Sequence, residues 1–275
     1  MRVIGIIGAG YSGSTLLAFM LGSLPGVKTC GESYHLITKK KHVGCRVCPD
    51  GTCDIYSPQF KAGVTFRNGW AKIAARLNTD TLVVSEKGPA IYRQFLAGSN
   101  DIDISFVVLH KKPEAFVFSS QRHSNATSST SGLGFWVNRN RESLDLIRSG
   151  GYRHVGVSFE ELTASPAAVL GRICKRLDLP YSSSAVEYWN HEHHSISGNF
   201  SAHINLWGLD DPRTIAALKV KGVGWDHYRQ MFRRVIPASS VELPFTAGQL
   251  AEIRAFPGVA EIAAALTAAT KEERI

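Results

Sequence analysis

The fold is decided by residues 3–21, which read Val3-Ile4-Gly5-Ile6-Ile7, then Gly8-Ala9-Gly10-Tyr11-Ser12-Gly13-Ser14-Thr15, then Leu16-Leu17-Ala18-Phe19-Met20-Leu21. The first run is apolar and β-branched, which predicts a buried strand, and the last run predicts a helix. A glycine-rich turn between a strand and a helix directs backbone N–H groups at an anion above the strand. The sequence therefore predicts an α/β fold that begins with an anion-binding loop.

Two nucleotide-binding motifs share this loop. Residues 8–13 fit the Gly-x-Gly-x-x-Gly fingerprint of dinucleotide-binding folds, and Glu32 follows the last glycine by nineteen residues, near the expected ribose-binding acid. Residues 8–15 also fit the phosphate loop of nucleotide kinases, except that Ser14 replaces its lysine. Because that lysine offsets charge on the β- and γ-phosphates, its absence argues against ordinary phosphoryl transfer. The alternatives are a transferase with a less charged donor, a dinucleotide-dependent oxidoreductase and a non-catalytic nucleotide-binding protein.

Length and composition bound these alternatives. The chain has 275 residues, of which 44% are hydrophobic and 20% charged, as in ordinary globular proteins. We expect a single domain over 1–275, with a lysine- and cysteine-rich insert at about 34–60 and a cap at about 190–235. The formal net charge of +8 favours anionic ligands. No basic run is interleaved with aromatic residues, so we expect no nucleic-acid partner.

The apolar segments are too short for a membrane span. The longest apolar run, residues 16–21, falls far below the roughly 18 residues that a span needs. Met1 and Arg2 lead directly into the first strand, without the pattern of a signal peptide. We therefore expect a cytoplasmic protein.

Three of the five cysteines, Cys45, Cys48 and Cys53, lie close together, and His42 precedes them by three residues. Four such ligands suit zinc, but the same thiols also suit a disulfide plus a free thiol, or a polar insert. One tight cluster without a second Cys/His pair under-specifies a metal site. We therefore expect no metal, and these four residues are the candidates if there is one.

Polar residues follow two more predicted strands. Glu32 follows a strand at Val27 to Cys30, and Lys87 follows a strand at Thr81 to Val84. In open α/β sheets ligands bind outside the carboxyl ends of the strands. Glu32 and Lys87 are therefore expected on the same rim as the glycine loop, where Lys87 supplies the cation that the loop lacks.

A third strand, Ile102 to His110, is followed by a lysine and a serine whose spacing indicates a phosphate site. Lys111 follows the strand directly, and Ser119 follows eight residues later, inside the next predicted helix. That spacing allows both groups to contact one phosphate, with Arg122 a further candidate one turn along.

Four segments together resemble a known family. Tyr11-Ser-Gly-Ser-Thr-Leu-Leu17 resembles the donor loop of bacterial-type sulfotransferases that depend on 3′-phosphoadenosine 5′-phosphosulfate (PAPS). Residues 85–89 resemble a lysine-containing element of these enzymes, residues 111–119 their 3′-phosphate element, and residues 191–199 a His-x-x-x-Gly-Asn segment over the adenosine. The resemblance implies a central parallel sheet flanked by helices, a three-layer sandwich like that of P-loop nucleotide kinases.

The resemblance also implies an activity and roles for residues. The chain would transfer a sulfuryl group in line from PAPS to a hydroxyl or amine of a small-molecule, sugar or lipid acceptor, leaving adenosine 3′,5′-bisphosphate (PAP) and needing no metal. Glu32 is the first candidate base and His194 the second, while Lys87 offsets charge on the leaving oxygen. The residues implied to hold PAPS are Tyr11, Ser12, Gly13, Ser14, Thr15, Lys111, Ser119, Arg122, Gly198 and Asn199.

Overall fold

The computed structural model describes residues 1–39, 44–49, 52–86, 88–98, 101–124, 128–221, 229–230 and 232–271. Within these ranges five strands form one sheet, in which every neighbouring pair is parallel. The strands are β1 (Arg2–Ile7), β2 (Val27–Gly31), β3 (Thr81–Val84), β4 (Asp103–His110) and β5 (His154–Ser158). They lie in the order β2-β3-β1-β4-β5, so the strand that precedes the glycine loop is central.

Helices connect these strands and follow the last of them. The described α-helices are α1 (Ser14–Gly22), α2 (Tyr34–Thr38), α3 (Pro58–Ala62), α4 (Gly69–Arg76), α5 (Pro89–Ala97), α6 (Pro113–Ser124), α7 (Leu133–Gly150), α8 (Phe159–Ala164), α9 (Pro166–Leu177), α10 (Phe200–Trp207), α11 (Pro212–Lys221), α12 (Ala247–Ala255) and α13 (Val259–Lys271). Short 3₁₀ turns occupy Ser183–Val186, Tyr188–Asn190 and Ala238–Ser240.

The sheet is buried on both faces, as its nearly continuous apolar strands require. Alternate residues of β1 enter two different cores: Val3 packs in one, and Ile4 in the other. Helices α1 and α9 cover the Ile4 face, while α4, α7 and α13 cover the Val3 face. Each fully buried aliphatic side chain stabilises this arrangement by about 1.5–3 kcal/mol. The expected three-layer α/β sandwich is thus confirmed.

The strand order contradicts the dinucleotide alternative. In dinucleotide-binding folds β2 lies next to β1, so that its terminal acid reaches the ribose. Here β3 separates β2 from β1. Glu32, at the end of β2, is therefore not beside the strand that carries the glycine loop.

The connections between the strands contain short helices. Residues 159–164 form α8, and Ser158 and Glu161 build a capping box at its start. The expected insert at about 34–60 includes the short helix α2 and the start of α3. Among the described helices, none combines the length and the apolar character that crossing a bilayer requires.

Candidate active site

The glycine loop connects β1 to α1 at the carboxyl edge of the sheet. Gly13 adopts φ +91°, in the left-handed region that favours glycine, and a Cβ there would lie 2.5 Å from the Phe159 ring. Asn140, buried on α7, accepts a hydrogen bond from the Ala9 N–H at 3.2 Å. These contacts fix the loop, and the unpaired N–H groups at the start of α1 lie at the edge where ligands bind.

The hydroxyl groups of the loop have different surroundings. Ser12 is only 2% exposed, and its Oγ has no hydrogen-bond partner within the described ranges. A buried polar group left unpaired costs about 1–3 kcal/mol, so this hydroxyl is suited to a ligand oxygen. Thr15 is also buried, and its Oγ1 accepts a hydrogen bond from the Asn199 N–H at 2.8 Å. Ser14 is partly exposed, and Tyr11 is exposed with its ring 6.2 Å from that of Phe116.

The cation and hydroxyl identified by spacing meet in the structure. Lys111 follows β4 and is only 7% exposed, and its Nζ donates to Ser119 Oγ at 3.2 Å. The same Nζ lies 3.9 Å from the centre of the Phe159 ring. Because Phe159 also packs against Gly13, the buried cation and the glycine loop share one ring. Arg122 lies further along α6 and is exposed, with its guanidinium 5.7 Å from the Phe118 ring.

Burial changes the acidity of this cation. Removal from water lowers the pKa of the Lys111 ammonium from 10.5 to about 8, although the negative charge of Glu160 opposes the change. Lys111 is therefore still largely protonated at neutral pH, and a bound anion would favour that form.

Residues 194–199, which we call the closing segment, reach the glycine loop from the other end of the chain. Asn199 contacts Thr15 as described above, and a Cβ on Gly198 would lie 2.7 Å from Thr15 Cγ2. Gly198 has φ +136°, so both its conformation and its close approach favour glycine. His203 on α10 donates from Nδ1 to the Asn199 carbonyl at 2.9 Å, and burial lowers its pKa to about 4. His203 is therefore neutral and supplies no cation here.

Buried carboxylates, rather than cations, follow β2 and β3, and we call Glu32, Glu86 and the neighbouring His35 the acidic group. Glu32 is 3% exposed, and His35 Nε2 lies 3.2 Å from its Oε2. Glu86, also 3% exposed, accepts hydrogen bonds from Ser33 Oγ and from the Tyr34 N–H. Burial raises the pKa of Glu86 from 4.5 to about 7, which those hydrogen bonds oppose and the charge of Glu32 reinforces.

Sequence reasoning missed two members of this acidic group. His35 stands three residues after Glu32, the spacing at which side chains meet on a helix turn, and this was the available signal. Glu86 follows the buried strand β3 by two residues and directly precedes Lys87. This position was a signal, but it did not predict the contacts of the Glu86 side chain. Lys87 itself lies outside the described residues, as does His42.

The structure places His194 with the cysteines rather than in the acidic group. Its Nδ1 lies 3.4 Å from both Cys48 Sγ and Cys53 Sγ, and its Nε2 lies 3.2 Å from Glu192 Oε1. Both ring nitrogens are engaged, so the second candidate base has none left for an acceptor. Within the described ranges the imidazole in contact with Glu32 belongs to His35. The cysteine cluster thus has a histidine other than the one expected from proximity in sequence.

No protein-family model matches this sequence, and no curated protein is significantly similar to it. Solved structures do match. The sulfotransferase domain from the Synechococcus PCC 7002 olefin synthase is 19% identical, with a TM-score of 0.57 over 92% of this chain and 93% of that one. The sulfotransferase domain from the curacin biosynthetic pathway is 14% identical, with a TM-score of 0.61 over 97% of each chain. This chain therefore has the fold of these sulfotransferase domains.

Proposed function

We propose that this protein is a sulfotransferase that moves a sulfuryl group from PAPS to a hydroxyl or amine of a small-molecule, carbohydrate or lipid acceptor. One observation carries the proposal: the buried Lys111 donates a hydrogen bond to Ser119, and the Phe159 ring that Lys111 contacts also packs against Gly13 of the glycine loop. PAPS carries two separate anionic groups, and this edge offers two anion-binding elements on the neighbouring strands β1 and β4.

The glycine loop suits the 5′-phosphosulfate. It offers N–H groups at the start of α1, the unpaired Ser12 hydroxyl and the Thr15 hydroxyl. It has no lysine where nucleotide kinases have one, since Ser14 stands there. A sulfuryl group bears one charge fewer than a phosphoryl group, so this loop fits the less charged donor and transfer needs no bridging metal.

The remaining donor contacts follow from the same geometry. Lys111 and Ser119 would hold the 3′-phosphate, with Arg122 at the exposed end of that site. Gly198 and Asn199 would close over the adenosine, since the closing segment already contacts Thr15. Tyr11 would border the loop from its exposed side.

The acidic group would remove the proton from the acceptor hydroxyl or amine. Glu32 would accept that proton, and His35 would hold the Glu32 carboxylate in place by donating to it. We assign Lys87 to the leaving oxygen, where its charge would stabilise the transition state. PAPS supplies the sulfuryl group, and the residues of the protein orient it and remove the proton.

Isothermal titration calorimetry with PAP, NAD and ATP tests the donor site. We expect binding of PAP and none of NAD or ATP, because only PAP places phosphates at both the Lys111–Ser119 pair and the glycine loop. Binding of NAD in preference to PAP would overturn the proposal.

A transfer assay separates an enzyme from a non-catalytic nucleotide-binding protein. PAPS labelled in the sulfuryl group, offered with panels of alcohols, phenols, sugars and amines, is expected to yield a labelled acceptor. Binding of PAP without transfer to any of these classes, or to acceptors in an extract of the source cells, would favour the non-catalytic alternative.

A further inference from the structure

A compact group of metal-ligating side chains lies outside the proposed active site. Cys45, Cys48, Cys53 and His194 each offer one ligand atom, and these four atoms all lie within 4.8 Å of one another. The imidazole Nδ1 lies 3.4 Å from two of the sulfurs. In a tetrahedral zinc site with Zn–S and Zn–N bonds of about 2.3 and 2.0 Å, sulfur and nitrogen ligands are about 3.5 Å apart. The distances from His194 Nδ1 to Cys48 Sγ and Cys53 Sγ therefore match the spacing of zinc ligands, and Cys45 Sγ lies within 4.8 Å of these atoms.

We propose that Cys45, Cys48, Cys53 and His194 bind a structural zinc ion. Three thiolates and one imidazole are the donor set that zinc prefers, and hard cations such as Mg²⁺ and Ca²⁺ prefer oxygen. Four protein ligands fill a tetrahedral shell and leave no open position for water or substrate. The ion therefore holds chain segments together and takes no part in sulfuryl transfer.

The groups around the cluster support this assignment. Glu192 lies 3.2 Å from His194 Nε2, so that nitrogen carries the proton and Nδ1 presents its lone pair to the sulfurs. Metal-binding histidines commonly donate their second N–H to a carboxylate in this way. The Cys48 N–H donates to Cys45 Sγ at 3.4 Å, which stabilises a thiolate at that position.

A disulfide is the main competing use of three neighbouring thiols. All five cysteines are free in the structure, and the cluster brings an imidazole nitrogen to two sulfurs, which a disulfide does not require. Binding of zinc displaces the thiol protons and needs no oxidant. The donor arrangement therefore favours metal over a disulfide.

The zinc ion would join two distant parts of the chain. Cys45, Cys48 and Cys53 belong to the insert, and His194 begins the closing segment. Neighbouring contacts reinforce the junction: the Arg46 N–H donates to the Ser195 carbonyl at 2.7 Å, and the Ile196 N–H donates to the Cys30 carbonyl at 3.0 Å. Zinc would thus fix the start of the segment that reaches the glycine loop five residues later.

Metal analysis of purified variants tests the ligand set. We expect about one zinc per chain in the wild-type protein after reconstitution under reducing conditions. His194→Ala should weaken zinc binding, in competition with a chromogenic chelator, by more than about 100-fold, because loss of an outer-sphere partner alone costs about 10- to 100-fold. An unchanged zinc affinity of His194→Ala in this competition would overturn the proposal.

Matched variants distinguish this site from the one expected from proximity in sequence. His42→Ala should keep its zinc, since His194 completes the shell, and Cys174→Ser should keep it because Cys174 lies near Pro180, away from the cluster. If His42→Ala lost its zinc and His194→Ala retained it, the fourth ligand would be His42 and the proposed ligand set would be wrong.

Two measurements on the wild-type protein test the zinc site even if the variants fail to fold. Cobalt substituted for zinc should show the intense thiolate-to-metal absorption and the visible bands of tetrahedral sites, and octahedral bands alone would contradict the proposal. Thiol titration should find three fewer reactive cysteines with zinc than after chelation under argon. Two of these thiols that stay unreactive after chelation and react only after a reductant is added would indicate a disulfide and contradict the proposal.

Coupling to the active site rests on the proposed function and is measured separately. Zinc removal should lower PAP affinity, because the closing segment loses its anchor. Unchanged PAP affinity in zinc-free protein would overturn this coupling while the zinc stoichiometry stands. A protein that binds zinc but not PAP would contradict the proposed function alone.

Discussion

The carboxyl edge of the sheet has two halves with opposite chemistry. The anion half, at the ends of β1 and β4, consists of the glycine loop and the Lys111–Ser119 pair. The acid half, at the ends of β2 and β3, consists of Glu32, His35 and Glu86. One half offers N–H groups, hydroxyls and a buried cation, and the other offers buried carboxylates. In the proposed function the anion half would hold the donor, and the acid half would accept the proton of the acceptor.

The strand order makes this division workable. A charged carboxylate near the glycine loop would repel an anionic donor, and the repulsion grows in a low-dielectric site. Glu86 follows β3, which pairs directly with β1, and its pKa of about 7 reduces that charge, whereas Glu32 lies one strand further away. Adjacent strands are about 4.8 Å apart, so the end of β2 lies about 10 Å from that of β1 across β3. An acceptor placed between the halves would contact the base on one side and the donor on the other.

The largest expected effect is a decrease in kcat when the proposed base in the acid half is removed. Glu32→Gln should lower kcat by about 10²- to 10⁴-fold, the range of general-base catalysis, because the amide cannot accept the acceptor proton. PAP affinity should stay unchanged, since Glu32 lies outside the anion half. Steady-state kinetics and calorimetry check both parts, with the exposed Glu187→Gln as control. Near-normal kcat in Glu32→Gln would remove this residue from the base role.

Removal of the buried cation should weaken binding of the donor nucleotide by the anion half. Lys111→Ala is expected to weaken PAP binding by about 10- to 100-fold, because a hydrogen bond to a charged group contributes about 1.5–3 kcal/mol. Its neighbour Lys112 is exposed and provides the matched control, Lys112→Ala, which should retain PAP affinity within measurement error. Equal losses in the two variants would show that the contribution is only net charge.

Titration of the same cation should appear as a pH dependence. In the proposed donor site PAP would bind the protonated form of Lys111, whose pKa in the free protein is about 8. Affinity should therefore fall as pH rises through 8, by about fivefold between pH 8 and 9 and by nearly tenfold per pH unit above that. Lys111→Arg keeps its charge over this range and should flatten the profile, even if its geometry changes the absolute affinity. A steep profile that persists in Lys111→Arg would assign the titration to another group.

The smallest expected effect concerns stability in the acid half. The pKa of Glu86 is raised to about 7, so between about pH 4.5 and 7 the folded state holds a proton that the unfolded state has released. The free energy of unfolding therefore falls as pH rises through that window. Glu86→Gln removes the buried charge but loses one acceptor, so we expect a gain of about 1 kcal/mol at pH 8 and none at pH 4.5. Denaturant unfolding at both pH values checks this, and an equal loss at both would contradict it.

Local patterns predicted the anion half better than the acid half. The β1–loop–α1 unit and the Lys111–Ser119 pair each lie within a short stretch, where periodicity and spacing constrain geometry. The order of β2 and β3 relative to β1 depends on packing of the whole sheet, and no local pattern encodes it. The contacts of Glu86 with Ser33 follow from that order and bridge 53 residues.

The cysteine cluster shows the same limit. Sequence reasoning paired the cysteines with His42 because it is three residues away, whereas His194 lies 146 residues from Cys48. The closing segment likewise contacts Thr15 from a distance of 184 residues. The motif at 191–199 suggested by resemblance that this segment covers the adenosine, but no rule of spacing operates over such a separation, so the contact with Thr15 was not predicted.

A crystal structure of the protein with PAP tests the division of the edge most directly. We expect the 3′-phosphate within hydrogen-bond distance of Lys111 Nζ and Ser119 Oγ, and the 5′-phosphate against the N–H groups and hydroxyls of residues 12–15. A nucleotide bound in the reverse orientation, or in contact with Glu32 and Glu86 instead, would contradict it.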